Sequence, residues 1–161
     1  MRSVQKCGFS VLASFLVILA VVTSQFTGRA IGSTKMETMP HGGQEATREE
    51  YRKLFGVIQS SLASGNISAL APFLSPQVQV NFRGAESGYY SANQAYYLLD
   101  NYFRSRKVLG FEFSTIGESD SNPYATGGAS FNFKGTREYA QVYVSLSRSG
   151  RKWLITQINI Y

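Results

Sequence analysis

From Val108 to Tyr161 the chain alternates in period two with few breaks. "VLGFEFSTIG", "YATGGASFNFKG", "EYAQVYVSLSRSG" and "KWLITQINIY" follow one another, separated by short runs of Gly, Ser, Asp, Pro and Lys. Successive side chains of a strand point to opposite faces, so each segment predicts a strand with one buried face. Connections this short join neighbours that run in opposite directions. The end of the chain is therefore a four-stranded antiparallel meander, and its apolar face must be covered by something.

The preceding residues supply the cover. Tyr51, Leu54, Phe55, Ile58 and Leu62 fall on one helical arc, and Gly65 provides a left-handed stop. Thr47 and Glu50 have the spacing of a capping box, which sets the predicted helix start at Thr47. "NISALAPFLS" predicts one more short helix capped by Asn66; Asn66-Ile67-Ser68 also has the form of a glycosylation sequon. "QVQVNF" alternates Val78, Val80 and Phe82 against polar neighbours and predicts a strand. In "SANQAYYLLDNYFRS", Ser91 and Gln94 form a second capping box. Ala92, Ala95, Leu98, Leu99 and Tyr102 share the buried face of that helix, Tyr96 and Phe103 border it, and Tyr97 points away. Helices early and strands late define an α+β class with helices packed on a curved antiparallel sheet.

Upstream, Arg2 and Lys6 precede an apolar run from Gly8 to Val22, and small residues follow at Ser24, Gly28 and Ala30. That layout predicts a signal peptide over residues 1–24, with cleavage as late as Ala30, and hence a periplasmic or extracellular address. The alternative is an N-terminal membrane anchor, since Cys7 to Phe26 just reaches the length of about 20 residues that a bilayer requires. Residues 25–46 are poor in large apolar side chains and predict a flexible linker, which carries the sole histidine, His41. The domain is then 47–161. The single cysteine, Cys7, lies ahead of the apolar run, so the domain has no disulfide and depends on burial. Removing Arg2 and Lys6 from the formal charge of +6 leaves +4. The remaining cations are scattered at a helix end (Arg104, Arg106, Lys107) and a turn (Arg148, Arg151, Lys152), which suits dipole and edge roles rather than a nucleic-acid surface.

Tyr90-Ser91-Ala92-Asn93-Gln94-Ala95, the pair Tyr102-Phe103, Phe111-Glu112-Phe113 leading to Gly117, Tyr124 with Gly127, Val142-Tyr143-Val144 and the ending "KWLITQINI" run in one order. That order resembles domain-of-unknown-function family 4783, small exported proteins mainly of Bacteroidota, within the nuclear-transport-factor-2-like or ketosteroid-isomerase-like superfamily. The resemblance implies a cone of helices and bent sheet that often encloses a pocket. It implies no activity. The chain departs from the family pattern at Thr115, where a histidine is frequent, and at Gln141, where an arginine is frequent.

Reaction chemistry finds little support. Asp100 lies far round the helix from its buried centre, Glu112 is out of phase with Phe111 and Phe113, and Glu118, Asp120 and Glu138 sit at turns. No carboxylate is aimed inward as a general base must be. Ligand-spaced histidines, cysteines or carboxylates are absent, as are a nucleophile elbow and a phosphate loop, so no metal, cofactor or catalytic residue is assigned. Gly127-Gly128 predicts a bulge or bend. Tyrosines combine an apolar body with an OH that needs a partner, which suits a small ligand having both characters. The candidate contacts are Tyr90, Gln94, Tyr102, Thr115 and Gln157. Tyr139, Gln141 and Tyr143 alternate against Ala140, Val142 and Val144, and Trp153, Ile155 and Gln157 against Leu154, Thr156 and Ile158; whichever set faces the helices, the other leaves aromatic surface exposed, suited to a homodimer or an envelope-protein partner. The expected function is thus non-enzymatic binding, of a small ligand or a protein. The alternative is an isomerase-like or hydrolase-like enzyme with a tyrosine and a carboxylate.

Overall fold

The computed structural model describes residues 42–161; the expected signal peptide, His41 and the linker up to that residue lie outside them. Helix α1 (Gly42–Ser64) is followed by a 3-10 segment (Ile67–Phe73), strands β1 (Leu74–Phe82) and β2 (Ser87–Ser91), and helix α2 (Ala92–Ser105). Strands β3 (Lys107–Gly117), β4 (Tyr124–Phe133), β5 (Thr136–Ser149) and β6 (Lys152–Ile160) complete it. The strands form one sheet in the order β2-β1-β6-β5-β4-β3. The predicted meander is present, with antiparallel pairing throughout β3 to β6. Strand β1 joins it parallel to β6. Pro76, which has no N–H to give, falls where β1 and β6 are unpaired between Leu74 and Gln79.

The helices cover one face of this sheet. Tyr51, Leu54, Phe55, Ile58 and Leu62 are buried, as their arc predicted, and Gly65 ends α1 with φ +70°. Helix α2 is held by the capping box: Ser91 Oγ accepts from Gln94 N–H, and the Gln94 side chain accepts from Ser91 N–H. It buries Ala95, Leu99 and Phe103 against sheet residues such as Phe131. Phe103, expected at the border, is core, while Ala92, Leu98 and Tyr102 are half-buried.

Four expectations are corrected. Helix α1 starts at Gly42, so Gly42–Ala46 is helical rather than linker, and Thr47 does not cap it. Its Oγ1 instead donates to the Gly43 carbonyl at 2.8 Å, the bond of a Thr already inside a helix. Asn66 makes no cap bond; its Oδ1 accepts from Ser68 Oγ at 2.6 Å. Strand β2 is additional to the five predicted, pairing antiparallel to β1 across a turn with Gly84 at φ +70°.

The fourth correction is the phase of β6. Ser145 pairs with Gln157 but Leu146 pairs with Ile155, which leaves Thr156 as an extra residue. Such a bulge shifts every later side chain to the other face. Trp153 and Ile155 therefore join Ile158 and Ile160 in the core, while Gln157 shares the outer face with Leu154.

Candidate functional site

Most of the space under the sheet is filled. Phe131, Val144, Leu146, Ile155 and Ile158 are fully buried, and Trp153 meets Tyr51 edge-on at 5.6 Å. Among the described residues two open regions involve the sheet, one at the mouth of the cone and one on its outer face.

The mouth lies where the C-terminal end of α2 meets the β1–β2 turn, the start of β5 and Tyr161. It is a hollow of about 460 Å³ lined by Arg83, Gly84, Tyr102, Arg106, Phe131, Glu138, Tyr139, Ala140 and Tyr161. The Tyr102 ring lies tilted at 36° against Phe82, 4.7 Å between centres, and meets Phe131 edge-on at 5.9 Å. The Arg106 guanidinium carbon lies over two rings, 4.1 Å from the centre of Tyr102 and 4.4 Å from that of Phe133. Its Nη1 donates to Ser105 Oγ at 3.0 Å. Its Nε is buried without a hydrogen bond, 3.5 Å from Glu138 Oε2. Burial pushes the Tyr102 phenol above its ordinary pKa, with Arg106 opposing and Glu138 adding to the rise.

Two of these side chains were read differently from the sequence. The sequence suits Arg106 to the helix dipole and Glu138 to a turn; in the structure both line the mouth. The signal for Glu138 was available, because it is in phase with Ala140, Val142 and Val144, which face the helices. Asp100, expected in solvent, has only 18% of its side chain exposed and pairs with Arg104 at 2.8 Å.

The outer face carries a trough of about 810 Å³ along Gly110, Glu112, Gly128, Ser130, Tyr139, Gln141 and Tyr161. An adjoining hollow of about 600 Å³ is lined by Ser114, Thr126, Gln141, Tyr143, Gln157, Asn159 and Tyr161. Tyr124 stacks on Tyr143 at 5.5 Å and covers Gly117, where a Cβ would meet its ring. Tyr161 exchanges both main-chain hydrogen bonds with Gln141, and Asn159 Nδ2 donates to Tyr161 Oη at 2.8 Å.

The five candidate contacts do not converge. Tyr90 Oη donates to Glu86 at 3.3 Å beside the β1–β2 turn, and its phenol is raised by burial and then by Glu86. The Gln94 side chain is engaged in the α2 cap. Tyr102 is at the mouth. Thr115 is exposed at the β3 bulge opposite Thr126, and Gln157 lines the outer hollow that Thr126 also lines. Among the described residues no group of three His, Cys, Asp or Glu stands close enough to hold a metal ion. None of the described helices is long and apolar enough to cross a membrane.

A helix-covered, curved and unclosed sheet of this order is a nuclear-transport-factor-2-like cone. The model for domain of unknown function DUF4783 matches residues 55–161, and the chain belongs to that family. The crystal structure of a DUF4783 family protein from Bacteroides uniformis is similar at TM-score 0.60 and 19% identity, over 65% of this chain and 93% of that one. One from Bacteroides fragilis aligns at TM-score 0.56 and 23% identity, over 65% and 93%. An NTF2-like protein from Anabaena variabilis aligns at TM-score 0.58 and 18% identity, over 77% and 93%. No curated protein matches the chain.

Proposed function

We propose that the protein is a non-enzymatic association module whose outer sheet face receives a second copy of itself. The observation that carries this is the chemistry of that face. Its central positions, Ser130, Thr126 and Gly128 on β4, Tyr139, Gln141 and Tyr143 on β5, and Leu154, Gln157 and Asn159 on β6, include no charge, and Glu112 and Arg83, of opposite sign, stand at the margin of its trough. The chain as a whole carries +6. Two copies repel wherever cations meet, so an uncharged surface is the approach that costs least. A two-fold interface sets the same patch against itself, and tyrosine rings with amide side chains can both stack and pair with their own kind. Tyr139 is 70% exposed and Tyr161 48%, aromatic area that association would cover.

Catalysis is the weaker reading on the same surfaces. Glu138 at the mouth is held beside Arg106, and Glu112 on the outer face is exposed among glycines and serines. A general base needs reach to a bound substrate in a site that excludes water. In this proposal the apolar N-terminal segment exports the chain, so the partner copy is met outside the cytoplasm.

Sedimentation equilibrium tests the reading. The protein at tens of micromolar should run as a dimer, and Gln141→Lys, which sets like charges across the two-fold, should run as a monomer with an unchanged circular dichroism spectrum. A wild-type protein that is only monomer at those concentrations overturns the proposal.

A further inference from the structure

The mouth of the cone makes a second case, argued from its own side chains. Arg106 is an arginine already held by its neighbours: its Cζ lies over the Tyr102 ring at 4.1 Å and over the Phe133 ring at 4.4 Å. Its side chain is 21% exposed, and its buried Nε has no hydrogen bond, because Glu138 stands at 3.5 Å outside bonding geometry. Glu138 thus answers the charge of Arg106 from the Nε side without a hydrogen bond, and a guanidinium has further N–H donors on its other two nitrogens. Arg83, across the hollow, forms no ion pair among the described residues. Two arginines against one glutamate leave the hollow with one uncompensated positive charge. The walls between them are the Phe131 and Tyr102 rings and Ala140, and the volume of about 460 Å³ is that of a small-molecule site.

We infer that the mouth binds a monoanionic molecule with a flat apolar body, of the aromatic carboxylate class. The carboxylate meets the Arg106 and Arg83 guanidinium groups, and the ring lies against Tyr102 and Phe131 under the rim formed by Tyr139 and Tyr161. Guanidinium and carboxylate match in planar, paired hydrogen bonds. A multiply charged phosphate fits less well, since the hollow offers one net charge and apolar walls.

Calorimetric titration with 2-naphthoate, its neutral analogue 2-naphthamide and inorganic phosphate tests this. Saturable binding of naphthoate is expected, with naphthamide and phosphate at least about tenfold weaker, as the loss of a charge-assisted bond or of ring burial implies. Arg106→Gln should weaken naphthoate by about tenfold or more. Because Arg106 also packs, Arg83→Gln on the exposed turn serves as the second variant and should weaken binding in the same direction without altering the melting temperature. The inference is overturned if naphthoate does not bind at millimolar concentration, if naphthamide or phosphate matches it, or if the Arg83→Gln variant binds as tightly as the wild type.

Discussion

Gly127 is the position with least room. A Cβ there would overlap the Glu112 carbonyl and stand 2.8 Å from Phe113 Cα, backbone atoms of the neighbouring strand that cannot turn aside. The β3 register shifts between Phe113 and Thr115 at this point, so the glycine lets the bulged strand approach. Gly127→Ala should lower stability by about 2 kcal/mol in denaturant unfolding. Gly128→Ala, with nothing within 4 Å of the added atom, should be close to neutral. Tyr51 offers the opposite case. Its ring is core, but its hydroxyl is buried without a partner, so Tyr51→Phe removes an unsatisfied group and should gain about 1 kcal/mol. Burial first, and then Glu118, raise the Tyr51 phenol pKa. The unfolded chain releases that proton near pH 10 while the fold retains it, so this group leaves stability unchanged with pH below about pH 10 and lowers it as pH rises beyond that point. Unfolding midpoints measured from pH 8 upward should fall past that point, and Tyr51→Phe should lessen the fall.

Ser91 stands at the start of its helix and Thr47 inside its own, and their mutants should separate accordingly. Ser91→Ala removes a side chain that caps α2, at a cost of about 1 kcal/mol in thermal unfolding. Thr47→Ala acts inside an exposed turn of α1 and should stay within about 0.5 kcal/mol. Both sites have the same sequence signature, which is why the α1 start was misplaced: Gly42–Ala46 has no apolar periodicity to announce a helix. The meander and both apolar helix arcs were legible because burial imposes their periods. Strand β2 was not, since "SGYYS" is five residues on a sheet edge with no buried side chain. The Thr156 bulge was hidden for another reason. Either phase of β6 looks regular alone, and only pairing with β5 shows that both are used. The tyrosine-based site was therefore legible in part: Tyr102 and Gln157 line hollows, whereas Arg106 came into its role only when Phe133, far along the chain, closed over it.

The sheet is open, with β2 and β3 at its edges. Strand β3 is interrupted by register shifts after Val108 and Phe113 and carries Lys107 and Glu112, features that discourage pairing with another edge. Strand β2 is short. Association by the outer face is what this arrangement leaves open, and it brings the two proposed sites together. Arg83, Tyr139, Ala140 and Tyr161 line both the mouth and the outer trough. A molecule seated at the mouth therefore touches side chains that a second copy would cover. Binding free energies coupled in this way are reciprocal. If naphthoate changes the monomer–dimer constant by some factor, dimerisation must change naphthoate affinity by the same factor. Sedimentation equilibrium with and without saturating naphthoate should show a shift of several-fold, and the monomeric Gln141→Lys variant should show the naphthoate affinity of the uncoupled mouth. Identical constants in both conditions would mean that Tyr139 and Tyr161 hold one position whichever site is filled, and that the rim separates the two sites rather than joining them.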